Sequence, residues 1–218
     1  MFKLKNRWKL TALCVCAMFL SLTGYAAAES LCDCAMRGDI QKVNLLIQQG
    51  ANVNMFTRAG ATPLHFAADR GHKDVLQLLI SKGADVNAPT VSKSTPLMWA
   101  ADRGYRDVVD MLIFNGADIN AFDRDDVTPL HRAARHGHRD VVENLILKGA
   151  RVNALDADGA TPLHKAVVNG HRDVVELLIL KGADVNVVTR YGLTPLTLAI
   201  VSQQKDVMEL LIKQGGHE

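Results

Sequence analysis

Histidines, a cysteine pair, and arginines beside aromatics are the residues of this chain whose types and spacing could do chemistry. Of its eight histidines, His65, His131 and His164 share one position of a 33-residue register, and His72, His138 and His171 share another. A metal site would need several rings to converge at about 2 Å from one ion. Equivalent positions of stacked units lie about 8 to 10 Å apart, the spacing of packed helices, so these six are expected to hydrogen-bond turns and neighbouring units. His136 stands outside both sets. An acid or base role for it is the catalytic alternative, weakened because the repeat sets no carboxylate or nucleophile beside it. Cys32 and Cys34 form a C-x-C. Residues two apart on a helix point to nearly opposite sides, so small core or edge residues are expected, with an intermolecular disulfide as the alternative in an oxidising compartment. Neither G-x-G-x-x-G, a phosphate loop, G-x-S-x-G nor H-E-x-x-H occurs. The reading is therefore of a protein that is not an enzyme, with no cofactor and no metal.

The elements that position these residues come from the repeat. Thr-Pro-Leu occurs at Thr62, Thr95, Thr128, Thr161 and Thr194, each 33 residues after the last, with Gly71, Gly104, Gly137 and Gly170 nine residues further on in four of them. Such a period marks stacked units, each with an apolar face that only its neighbours can cover. Thr62 suits a helix N-cap and Pro63 the first helical position, where a missing N–H is harmless. Leu64, Ala67 and Ala68 then share one face, the alanines allowing close helix approach, and Gly71 stops the helix. Asp74 opens a second helix with Val75, Leu78 and Leu79 on its buried face, Leu76 and Ile80 widening that stripe, and Gly83 ends it. The tail that follows, "GADVNA" and a polar stretch, reads as a β-turn or hairpin finger.

These residues resemble the ankyrin repeat. "TPLH" at Thr62, Thr128 and Thr161, Gly-His at Gly71, Gly137 and Gly170, and "GADVN" at Gly83 and Gly182 match that family's pattern over essentially all of the chain from Glu29 to Gly215. The resemblance implies an all-α repeat solenoid of stacked helix-turn-helix units with projecting fingers. The expected division is a signal peptide at 1–28, a capping repeat at 29–56, full repeats at 57–89, 90–122, 123–155 and 156–188, and a second cap at 189–218. Met98 and Thr197 replace the histidine, Arg151 the aspartate, and Lys93 and Asp126 the finger glycine. Asp126 suits a left-handed turn, whereas Lys93 is expected to make its finger irregular.

The N-terminus differs in kind. Lys3, Lys5, Arg7 and Lys9 precede an uncharged run from Leu10 to Ala28 that ends in small residues, which reads as a secretory signal peptide cleaved before Glu29. Its 19 uncharged residues would just span a hydrocarbon core of about 30 Å, so a retained membrane anchor is the alternative. Without its four basic residues the chain has 21 basic against 23 acidic residues, which gives no electrostatic case for nucleic acid. The expected product is secreted or periplasmic, with contact to a membrane only if the leader stays.

Binding is expected on the side of the first helices opposite Leu64, Ala67 and Ala68. That offset gives Phe66, Asp69 and Arg70, then Trp99, Asp102 and Arg103, then Arg132, Arg135 and His136, a strip that turns from mixed to strongly basic. Aromatics beside arginines are the types enriched at interface hot spots. The alternative is that Phe66 and Trp99 only fill the gap between helices. Members of the family use this side and the fingers as a concave binding surface, which the resemblance extends to Arg58, Arg124, Asp125 and Tyr191. The implied partner is another protein with an acidic, partly apolar surface.

Overall fold

The computed structural model describes residues 30–217, so the leader read at 1–28 lies outside the described residues. Among the described residues twelve α-helices follow one another in six pairs: α1 (Leu31–Arg37) and α2 (Ile40–Gln48), α3 (Pro63–Arg70) and α4 (Lys73–Ser81), α5 (Pro96–Arg103) and α6 (Arg106–Phe114), α7 (Pro129–Arg135) and α8 (Arg139–Leu147), α9 (Pro162–Val168) and α10 (Arg172–Leu180), α11 (Pro195–Val201) and α12 (Lys205–Lys213). The odd-numbered helices pack side by side in one row and the even-numbered in a second. Each odd helix from α3 onward begins at a proline behind an extended threonine, and Gly71 and Gly104 end α3 and α5 in the left-handed conformation. The core is continuous, with Leu64, Leu97, Leu130 and Leu163 buried at one repeat position and Ala67, Ala100, Ala133 and Ala166 at another. Cys32 and Cys34 are buried free thiols in α1. Burial, with Asp33 adding to it, pushes the Cys32 thiol up to about 11, and burial raises that of Cys34.

Backbone polar groups between the units are joined by three recurring devices. In the first, the Thr62 N–H donates to His65 Nδ1 at 3.1 Å, and Nε2 meets the Ser94 carbonyl of the next unit at 3.1 Å. A backbone N–H can only donate, so Nδ1 accepts and the ring's proton sits on Nε2. His131 repeats the arrangement onto the Ala160 carbonyl of the next unit, and His164 makes the same bond to the Val187 carbonyl at the end of its own unit. Burial holds His65 and His131 down at about 4 and lowers His164 as well. The second set of histidines reaches backward: Nε2 of His72, His138 and His171 donates to the carbonyls of Met36, Asp102 and Arg135 at 2.9 to 3.0 Å. In the third device, Asn54 Nδ2 donates to the Gly83 carbonyl and its Oδ1 accepts the Asp85 N–H, and Asn87, Asn120, Asn153 and Asn186 do the same one unit on each time.

The fingers are turns, with no strand assigned among the described residues. Thr57 N–H donates to the Ala61 carbonyl and Gly60 N–H to that of Thr57, and the next finger docks through Val91 N–H on the Ala59 carbonyl at 2.8 Å. Equivalent bonds join Arg124 to Ser92, Ala157 to Asp125 and Arg190 to Asp158. The expectation of an irregular finger at Lys93 is wrong. Lys93 takes φ 62 and Asp126 φ 55, and Lys93 N–H donates to the Thr90 carbonyl at 2.8 Å, as Gly60 does in its own finger. A left-handed non-glycine residue costs about 1 to 2 kcal/mol, and bonds to a finger on each side hold the turn against it.

Gly60 and Gly192 isolate the contribution of that docking, since both are left-handed, at φ +80 and +74. A Cβ on Gly60 would stand 2.7 Å from the Val91 backbone nitrogen, whereas one on Gly192 would meet nothing among the described residues. Gly192→Ala is expected to cost about 1 to 2 kcal/mol from the backbone alone. Gly60→Ala adds an overpacking cost of about 1 to 3 kcal/mol. Urea denaturation of the two variants checks this; equal losses would mean that the fingers do not pack as described.

Candidate functional site

The strip read from the sequence closes into one cleft of about 340 Å³, lined by Phe66, Asp69, Arg70, Trp99, Asp102, Arg103, Arg132 and also Met36. Helices α3, α5 and α7 supply seven of these, because their buried leucine and alanine positions turn the opposite side outward. Met36 comes from α1 at the position of Asp69 in α3, and carrying the same 33-residue offset one unit further would have found it. Trp99 stands edge-on to Phe66, with centroids 5.8 Å apart, and to His65 at 5.1 Å, and its Nε1–H donates to Ser94 Oγ at 3.1 Å. Both aromatics are half-buried, so they pack between helices and still face the cleft.

The basic side chains are more engaged than the sequence suggests. Asp69 accepts from Arg103 Nε at 2.8 Å and pairs with Arg70 at 3.2 Å, so two guanidiniums share one carboxylate. That hydrogen bond raises the Arg103 pKa further. Arg132 Nη2 donates to Asp123 Oδ2 at 2.7 Å, and Nη1 lies 3.6 Å from Asp102 Oδ1. Asp123 is buried at the base of its finger, its Oδ1 accepting the N–H groups of Asp125 and Val127. Asp156 does the same one unit on and holds Lys165 at 2.5 Å. Burial works against its charge, but Lys165 and the backbone N–H groups outweigh that and keep its pKa below the usual value. Sequence reading missed Asp123 and Asp156, which stand where the other fingers have Thr57, Thr90 and Thr189; that change of residue type was the available signal.

His136 does have a carboxylate beside it, contrary to the sequence reading. Its Nε2 lies 3.3 Å from Asp102 Oδ1, because the stack sets the end of α7 against the end of α5. Arg135 is exposed beyond the cleft and forms no ion pair among the described residues. Arg58, Arg124, Asp125 and Tyr191 lie on the fingers and do not line the cleft. Tyr191 donates to Asp158 at 3.3 Å and carries Arg190 over its ring at 5.0 Å. Among the described residues no group of three or more His, Cys, Asp or Glu side chains could hold a metal ion.

Comparison with known families follows the same frame. The family described as Ankyrin repeats (3 copies) matches residues 31–123 and again 130–218. The chain belongs to the ankyrin repeat family. The twelve helices of its described residues and their stacked packing are those of an all-α ankyrin solenoid. Ankyrin repeats are generally protein-protein interaction modules and typically non-catalytic. A search of curated proteins gave no match.

Proposed function

We propose that this ankyrin stack is an exported, non-catalytic binding module that grips a partner protein through the exposed side of α3, α5 and α7, with the neighbouring fingers extending the surface. The observation that carries this reading is the cleft in which Phe66 and Trp99 lie beside Arg70, Arg103 and Arg132. Aromatic and arginine anchors side by side in one hollow are the composition of interface hot spots. Arg70 and Arg103 share the Asp69 carboxylate and are each about half exposed, which leaves guanidinium N–H groups able to donate to an acidic, partly apolar surface. Export rests on the basic start and the uncharged run to Ala28, with a secreted or periplasmic product after cleavage; sequencing the mature N-terminus separates this from a retained anchor.

Pull-down from the native compartment with wild type, Trp99→Ala and Arg132→Glu is the test. Both variants are expected to lose the partner, with at least a tenfold drop in affinity, about 1.4 kcal/mol or more. Folded variants that recover every partner as wild type does would refute the cleft as the binding surface.

A further inference from the structure

The residue that begins each finger and the one nine places on, in the odd-numbered helix it leads into, change type together along the stack. Thr57 goes with Phe66, Thr90 with Trp99 and Thr189 with Leu198, whereas Asp123 goes with Arg132 and Asp156 with Lys165. Threonine is enough for the finger itself. Its Oγ1 accepts the N–H four residues ahead, that of Ala61 for Thr57, Ser94 for Thr90 and Leu193 for Thr189, at 2.9 to 3.2 Å. Asp123 Oδ1 makes the same bond with Val127 N–H at 3.0 Å, and Asp156 Oδ1 with Ala160 N–H at 2.8 Å. The carboxylate thus adds one acceptor for which the turn has no need. That oxygen, Oδ2, meets Arg132 Nη2 at 2.7 Å in one unit and Lys165 Nζ at 2.5 Å in the next.

The two pairs differ in where their cations stand. Arg132 lines the α3–α5–α7 cleft and Lys165 does not. The Arg132 side chain is 26% exposed above an Asp123 side chain that is 7% exposed. A guanidinium has several N–H donors, and Asp123 takes one of them from Nη2. Nη1 stands 3.6 Å from Asp102 Oδ1, beyond hydrogen-bond distance, so its N–H groups are left to donate to a partner. A mobile arginine must be ordered when the partner binds, which weakens the complex; one already held is not subject to that loss. We propose that Asp123 is a positioning residue for the cleft: beyond shaping its finger, it fixes the Arg132 guanidinium so that an acidic group of the partner meets a donor already in place. Asp156 holds Lys165 in the same way outside the cleft and has no part in binding. The proposal rests on the reading of the cleft as the partner surface and names what sets the place of one of its cations.

Asp123→Thr and Asp156→Thr each install the residue that three other fingers carry, so both variants are expected to fold and to lower the urea midpoint alike. Nitrogen-15 relaxation of the Arg132 Nε–H, a buried group without a hydrogen-bond partner among the described residues, reads the positioning in the free protein. Its order parameter is expected near the rigid value of about 0.85 in wild type and below about 0.6 in Asp123→Thr. Asp123→Asn, which keeps Oδ1 for the turn and sets a donor against Arg132, is expected to loosen it in the same way. An unchanged order parameter in both would overturn the proposal. In the pull-down from the native compartment, Asp123→Thr is expected to hold the partner that wild type recovers at least about threefold more weakly, and Asp156→Thr to hold it as wild type does. Equal losses in the two variants would mean that the aspartates act through stability alone, and the positioning role would fall. Full recovery by Asp123→Thr while Arg132→Glu loses the partner would sink this inference and leave the cleft standing; full recovery by Trp99→Ala and Arg132→Glu as well would remove the cleft reading with it.

Discussion

Acidification from pH 7 to pH 5 is expected to remove about 4 kcal/mol of stability through His65 and His131 alone. In the folded chain each ring accepts a backbone N–H at Nδ1, and burial holds the pKa at about 4. Unfolded, each returns to about 6.5. Between these values the unfolded chain binds more protons, so stability falls as the pH drops through 6.5 and goes on falling until about 4, where the native rings protonate too. At pH 5 each histidine accounts for about 2 kcal/mol, and His164 acts in the same direction. Urea denaturation at the two pH values measures the loss. His131→Met, which places there the residue that α5 already carries at Met98, is expected to flatten the dependence by about 2 kcal/mol. Identical midpoints at both pH values would refute the buried neutral assignment.

Leu130→Ala is expected to cost about 3 kcal/mol, within the usual range of 2 to 5 for a fully buried leucine. Leu130 is 1% exposed in α7, which packs on α5 at one side and α9 at the other. In a stack each unit touches only its neighbours, so a hole there weakens the coupling between the two halves as well as one unit. The equivalent Leu31→Ala, in the first of the described helices, faces one neighbouring unit among the described residues and is expected to lose less. Calorimetry of the pair reads both effects: Leu130→Ala should lower and broaden the transition, and Leu31→Ala should lower it less. A Leu130→Ala melt within about 0.5 kcal/mol of wild type, the size of an ordinary surface substitution, would contradict the continuous core.

The repeat made the helices, their threonine starts and the structural role of the six histidines legible in advance, because each depends on contacts a fixed number of residues away. The side of α3, α5 and α7 that faces outward followed from the same register. What the register could not reveal was which charges are spent inside. Arg132 reads as a free cation until Asp123, nine residues back, is seen to be a finger-base carboxylate with an oxygen left over. His136 likewise gains Asp102 only when one unit is laid on the next. Lys93 misled for the opposite reason, since its own residue type argues against a left-handed turn that neighbouring fingers impose.

The asparagine joints have one further consequence. Each spans 29 residues in one direction of bonding and 31 in the other, so both partners are found only when whole units are added or removed. A deletion of any other size would strand a donor and an acceptor at a seam. The reach of this protein's surface can therefore lengthen or shorten over generations only in steps of 33 residues, like a chain sold by the link.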